Sequence, residues 1–339
     1  MFYDDNGHPG WQRTLRAIQN VYWFKDMKRF IKKFVTNCIS CMVTKRPTGR
    51  RQGKLHPIEK IEEPFHTLHI DHLGPFCKTE AGNSQVLTIV DAFTKFTWLE
   101  AVPNTSSKWV CQKLGQLIKL VHVPKRIITD RGKAFDCKEF RDFCATHNIR
   151  HVKNAIASPR SNGQVERTNR TVLESLTASI EGKHNEWDKY LLPVQRGINS
   201  TVNSTTNIAP SELLYGFRPN MVNEVRLTKR KLLDLRKIRQ QAKGTCDVTA
   251  QKMKYRYDKK RRPAKEYKQG DVVLVEKTTL VKGLSSGKLV PKYVGPVKII
   301  DVLGNDRYRV VSFSTDKRRL KGVVASDRLK PFKSQITDM

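Results

Sequence analysis

Acidic residues and long apolar runs are what this chain is short of. Asp and Glu number 32 against 64 Lys and Arg, a net charge of +32 over 339 residues. Apolar stretches stop after a few residues; Val86-Leu87 and Ile89-Val90 are already split by Thr88. A bilayer span needs roughly 20 in a row, so no membrane partner is expected. The opening MFYDDNGHPGW has no basic-then-apolar region, so secretion is not expected either. Cysteines are few and odd in number, seven, with one close pair at Cys38 and Cys41. That argues for a reducing compartment and a metal rather than a disulfide frame. Internal repeats are absent. Apolar material is nonetheless plentiful: 38% of residues are hydrophobic, with 14 Phe and 5 Trp. That is too much for a disordered basic tail, and the length suffices for two or three cores.

The charge is unevenly spread. Residues 1–54 hold 12 basic and 3 acidic residues, residues 55–220 hold 21 and 17, and residues 221–339 hold 31 and 12. A nearly balanced middle between strongly basic ends suggests a globular core with polyanion-binding appendages. Nucleic acid is the leading partner, since phosphate neutralisation is the usual use of such an excess. No small-molecule substrate is implied.

Periodicity divides the chain further. Met27, Phe30, Ile31, Phe34 and Val35 make one helical stripe. The Pro- and Gly-punctuated run KRPTGRRQGK (45–54) predicts a linker. Strands are expected at 65–74, 85–94, 96–103, 126–130 and 149–155, and helices at 106–121 and 139–148. This predicts an α/β fold with a mixed sheet covered by helices. Ser161 to Gln164 has the form of a capping box, so a helix should start there, with Val165, Val172, Leu173 and Leu176 buried. Residues 224–262 predict long, exposed, basic helix stopped at Pro263, and short apolar runs after Gly270 predict a small β-barrel. The run Lys259-Lys260-Arg261-Arg262 reads equally as a nuclear-import signal, a DNA contact or a solvated helix end.

Three carboxylates fall at the ends of these elements. Asp71 lies in the first strand, Asp130 ends a later one, and Glu166 sits in the first turns of the capped helix. The intervals hold 58 and 35 residues. Carboxylates on adjacent strand ends and a covering helix can hold two Mg²⁺ ions roughly 4 Å apart. Individually, each is more often a turn residue or a partner of the helix dipole. The flanking text decides. LHIDHLGPF, TIVDAFTKFTWLEAVP, ITDRGKAF and SPRSNGQVERTNRTVLESL closely resemble the integrase core of retroviruses and, more nearly, of gypsy-type LTR retrotransposons. The resemblance implies a ribonuclease-H-like core with Asp71, Asp130 and Glu166 as an Asp, Asp-35-Glu triad binding Mg²⁺ or Mn²⁺.

The resemblance extends to both ends. Residues 8–41 are similar to the family's zinc-binding domain, and KLVPKYVGPVKII (288–300) to its Gly-Pro-Tyr/Phe module, with Val297 in place of the usual aromatic. Cys38-x2-Cys41 follows His8 by 29 residues, spacing that can gather a His and two thiolates around Zn²⁺. The family uses a further His three to five residues before the second; Tyr3, Asp4 and Asp5 stand there instead. Either Asp4 supplies an oxygen ligand, the site is three-coordinate, or a piece preceding residue 1 is missing. Packed, reduced cysteines without metal are the plainer alternative.

The expected organisation is therefore a helical zinc-binding domain at 1–45, a linker at 46–64, a catalytic core at 65–220, a basic helical linker at 221–267 and a small β-barrel at 268–335. The resemblance implies nuclear, multimeric DNA integration: trimming of 3′ ends, as an endonuclease, then strand transfer into target DNA. A domesticated descendant that binds DNA without cutting is the rival expectation. A cut-and-paste transposase on the same fold suits the flanking modules less well.

Overall fold

The computed structural model describes residues 2–57, 61–153, 163–217, 219, 232–277, 290–313 and 321–332. The chain divides into two compact units, His56–Arg256 and, from the two ends together, Met1–Leu55 with Tyr257–Met339.

The central unit is built on five strands: β1 (Thr67–Leu73), β2 (Gln85–Asp91), β3 (Thr97–Val102), β4 (Arg126–Thr129) and β5 (Arg150–Lys153). They lie in the order β3-β2-β1-β4-β5. β1 pairs antiparallel with β2 and β2 with β3, whereas β4 runs parallel to both β1 and β5. This is the expected mixed sheet. Alternation along β1 sends Leu68 and Ile70 to one face and His69 and Asp71 to the other. The first face packs on α5 (Ser107–Leu120) and α6 (Lys138–Thr146) through Val110, Leu114, Leu117, Phe140 and Cys144. The opposite face carries Val86 and Leu99 under α7 (Gly163–Ser179) and α8 (Leu191–Ser200), with Val172, Leu176, Trp187 and Val194. α9 (Pro210–Tyr215) and α10 (Leu235–Asp258) close a smaller cluster around Phe93, Leu213 and Ala242. Among the described residues no helix is long and apolar enough to cross a membrane.

The second unit begins with α1 (Phe2–Asp5), α2 (Trp11–Gln19), α3 (Met27–Asn37) and α4 (Ile39–Thr44). Its other half is a curled antiparallel half-barrel of β6 (Val272–Glu276), β7 (Tyr293–Val302), β8 (Arg307–Ser312), β9 (Lys321–Ala325) and β10 (Leu329–Pro331), in the order β10-β6-β7-β8-β9. Val297 fills an interior position at 1% exposure, so the place of the family's aromatic is taken by a smaller core side chain. The two halves are fastened together. Met42 is buried against Leu274 and Tyr293. Lys330 Nζ donates to the carbonyls of Met42 and Lys45, both at 2.8 Å, and Gln52 Nε2 to those of Ser326 and Leu329 at 2.7 and 3.2 Å. The stretch read as a linker is thus partly stitched to the half-barrel.

Other expectations shift. Only Met27, Ile31 and Val35 of the α3 stripe are buried; Phe30 and Phe34 are 60% and 48% exposed, because the stripe that faces its neighbours is the narrow i, i+4, i+8 line. Leu173 of α7 is exposed, and its place on the buried face is taken by Asn169. The proposed cap at Ser161 and the start of the basic stretch at 224–231 lie outside the described residues. Arg261 is not a free basic side chain: it reaches Asp327 at 3.3 Å and the carbonyl of Gln52 at 3.1 Å.

Candidate active site and metal centre

β1 and β4 are parallel neighbours in register, Ile70 beside Thr129. One residue further along each strand stand Asp71 and Asp130. α7 crosses the same face of β1, which brings Glu166 to the group. The structure therefore gathers the three carboxylates that the sequence separates by 58 and 35 intervening residues.

Their mutual influence is visible in Asp71. Burial, then the charge of Asp130 and that of Glu166, push its carboxyl up to about 6 from 3.8. Two donors oppose the shift: the His72 N–H at 2.9 Å from Oδ1, and Asn169 Nδ2 at 3.0 Å from Oδ2. Asp130 and Glu166 are exposed. Asp130 Oδ1 accepts the Gly132 N–H at 2.8 Å, and a Cβ on residue 132 would stand 3.0 Å from that same oxygen. The peptide of Asp130 is held from the other side. Thr129 Oγ1 donates to the Asp130 carbonyl at 2.8 Å and lies 2.8 Å from His151 Nε2. Burial pushes His151 down to about 4, so its ring is neutral near pH 7. With the threonine proton committed to the carbonyl, the ring N–H must be the donor to Oγ1.

The donor set suits a hard divalent cation: carboxylate oxygens converging at one edge, their charges unfavourable to one another without a counter-ion. Two buried polar atoms beside them have no partner among the described residues, Asn169 Oδ1 and His72 Nε2. His69, on the same face of β1 as Asp71, is buried.

Asn169, Gln164 and Lys95 were missed from the sequence. Asn169 follows Glu166 by three residues and so shares its helix face. Gln164, read as part of a cap, ties α7 to the end of β2: its Nε2 donates to the Asp91 carbonyl at 3.0 Å, and its Oε1 accepts from Lys95 Nζ at 2.7 Å. Polar residues inside an apolar stripe were the available signal.

The N-terminal cluster is tighter. Among the described residues, only His8, Cys38 and Cys41 offer three ligand atoms all within 4.8 Å of one another. Cys38 Sγ lies 3.4 Å from His8 Nδ1. Lys45 and the Tyr3 hydroxyl, both hydrogen-bonded to Cys41, outweigh burial and draw its thiol pKa below the usual value, toward the metal-binding thiolate. All seven cysteines are free thiols.

Residues 1–47 match the integrase zinc binding domain, and residues 62–159 match the integrase core domain. Both matches are to integrase domains, in the order zinc-binding domain, then core. The core match contains Asp71 and Asp130 and ends before Glu166; the zinc-domain match contains His8, Cys38 and Cys41. The Tf2-3 and Tf2-4 transposon polyproteins of Schizosaccharomyces pombe are each 26% identical over 313 residues, covering 89% of this chain. The chain spans only 23% of their length. A chain of the simian T-cell lymphotropic virus intasome, solved in complex with PP2A regulatory subunit B56 gamma, shares the fold. Its TM-score is 0.54 at 16% identity, covering 94% of this chain and 98% of that one.

Proposed function

We propose that this chain joins linear retroelement DNA to target DNA, first trimming the 3′ ends and then transferring the exposed 3′-hydroxyls to target phosphodiesters. The observation that carries the reading is the convergence of Asp71, Asp130 and Glu166, in which burial, Asp130 and Glu166 push the Asp71 carboxyl up to about 6. Such a group is completed by cations. Bound Mg²⁺ or Mn²⁺, two per site, supplies positive charge to the attacking and leaving oxygens of an in-line displacement. Asp71, Asp130 and Glu166 hold the ions. The donors from Asn169 and His72 fix the Asp71 carboxylate, and the Gly132 N–H fixes that of Asp130, so ligand geometry is set before substrate arrives. In the N-terminal domain His8, Cys38 and Cys41 hold a structural Zn²⁺. The basic ends grip DNA, the working form is a homo-multimer, and the chain acts in the nucleus after entry from the cytoplasm.

The test is Mg²⁺-dependent joining of terminal-repeat oligonucleotides to plasmid DNA by purified protein. Asp71→Asn, Asp130→Asn and Glu166→Gln should each abolish joining and leave DNA binding within about threefold, since the affinity comes mainly from basic side chains. Near-full joining by any of the three would remove that residue from the site. Tight DNA binding with no joining by the parent protein would favour the DNA-binding descendant instead.

A further inference from the structure

The zinc cluster has three evident ligands, and a tetrahedral ion needs a fourth. Asp4 was the sequence's candidate oxygen. The structure places it on the wrong side of the imidazole: Asp4 Oδ1 lies 3.7 Å from His8 Nε2, while it is Nδ1 that faces Cys38. A carboxylate on the ring nitrogen remote from the sulfurs orients the histidine from outside the coordination shell.

The side chain that enters the cluster is Tyr3. It is 5% exposed, and its hydroxyl stands 2.9 Å from Cys41 Sγ. Its ring meets His8 edge-on at 4.9 Å and Phe34 at 5.4 Å, so the phenol is clamped with its oxygen toward the two cysteines. The backbone is bent to allow this. His8 N–H donates to the Tyr3 carbonyl at 3.0 Å, and His8 itself sits at φ 54°, a left-handed conformation that a non-glycine residue adopts only where its surroundings hold it. The bend sets the two side chains beside each other.

We propose that Tyr3 is the fourth ligand, so that one zinc ion is held by the Tyr3 phenol oxygen, His8 Nδ1, Cys38 Sγ and Cys41 Sγ. This builds on the structural zinc assigned to His8, Cys38 and Cys41 under the proposed function. Zinc–sulfur and zinc–nitrogen bonds of about 2.3 and 2.05 Å at tetrahedral angles separate the ligand atoms by about 3.5 Å. His8 Nδ1 and Cys38 Sγ already stand at 3.4 Å. The phenol oxygen, now hydrogen-bonded to sulfur, has to withdraw by about 0.6 Å to reach the same separation. On binding, protons leave the two thiols and the phenol for solvent, and oxygen–metal and sulfur–metal bonds replace the O–H and S–H bonds. Three anionic ligands overcompensate a divalent ion. The Lys45 ammonium, which reaches Cys41 and donates to the His8 carbonyl, offsets the excess.

The experiment uses the full-length chain, stripped of metal and titrated with Zn²⁺ against a competing chelator. The parent and the Tyr3→Phe, Tyr3→His and Asp4→Asn variants are compared, with circular dichroism confirming that each stays helical. The parent should bind one equivalent with an ultraviolet difference band of ionised tyrosine. Tyr3→Phe should lose that band and bind at least about 10-fold more weakly. Tyr3→His should bind at least as tightly as the parent, which keeps the test valid if the Phe variant folds poorly. Co²⁺ loaded in place of zinc should give the strong visible bands of a tetrahedral site in the parent and Tyr3→His, and weaker ones in Tyr3→Phe. Parent protein that binds zinc tightly, with Tyr3→Phe within about threefold and no tyrosine band, overturns the role of Tyr3 alone. Loss of zinc in Asp4→Asn rather than Tyr3→Phe transfers the role to Asp4 and also overturns it. Parent protein that takes up no zinc overturns this proposal and the structural zinc together.

Discussion

Asp71 is the residue in which the site's electrostatics are concentrated. Its carboxyl stands at about 6 against an ordinary 3.8. An acid raised by folding destabilises the fold when ionised: the penalty is absent below about 3.8, grows between 3.8 and 6, and is complete above 6. Asp71→Asn removes that charge. In metal-free protein its ceiling benefit is about 3 kcal/mol. The two N–H donors meet different oxygens of Asp71, and an amide puts an oxygen at only one of those places, which leaves roughly 1–2 kcal/mol. Thermal unfolding in chelator should therefore show Asp71→Asn more stable than the parent near pH 8 and indistinguishable from it near pH 4. A gain of equal size at both pH values would assign the effect to packing. Added Mg²⁺ should raise the stability of the parent and leave the variant nearly unmoved, because the ion binds only where the carboxylate remains.

Among the elements, the turn after β4 bears directly on a ligand carboxylate. Gly132 donates its N–H to Asp130 Oδ1, and the space where its Cβ would stand is 3.0 Å from that oxygen. Gly132→Ala should displace the carboxylate and lower the rate of joining at least about 10-fold, while changing unfolding stability by less than about 1 kcal/mol. An unaltered joining rate would mean that this turn does not set the ligand. Element by element, what could be read in the sequence was whatever is local. β1 and β2 are dense in Leu, Ile and Val, and Asp71 and Asp130 stand at strand ends within recognisable text. Asn169 escaped because a polar residue inside the α7 stripe looks like a gap in it rather than an arm toward Asp71. Phe30 and Phe34 were overread because helical spacing marks an apolar face without saying how wide its partner is. Tyr3 gives no signal of its own as a ligand, because a buried phenol in a helical segment reads as core. The pairing of Met42 with Leu274 and Tyr293 leaves no trace in periodicity, since its partners lie in a different part of the chain.

For the whole molecule, joining the two ends in one unit concentrates charge that the sequence shows as two separate excesses. Met1–Leu55 and Tyr257–Met339 together hold 32 basic and 12 acidic residues, against 32 and 20 in the longer central unit. If the end-built unit is the main DNA grip, replacing the exposed Lys259, Lys260, Lys298 and Arg307 by Gln should flatten the slope of log K against log salt. Each lost phosphate contact removes about 0.9 from it, so two or three contacts remove roughly 2–3 units. An unchanged slope would mean that these charges face solvent. Substitution is the right tool here, because truncating the chain after residue 220 would also strip Met42 and Gln52 of their partners. The same stitching has a consequence for biosynthesis. The central unit is an insertion of about 200 residues between the two halves of the other. A ribosome releasing roughly 5–20 residues per second leaves the first-made helices waiting about 10–40 s for the strands that cover Met42. Over that interval the nascent N-terminus must hold together on its own contacts and on the zinc proposed for it, so under that proposal an early supply of the ion would govern how much newly made protein reaches its finished form.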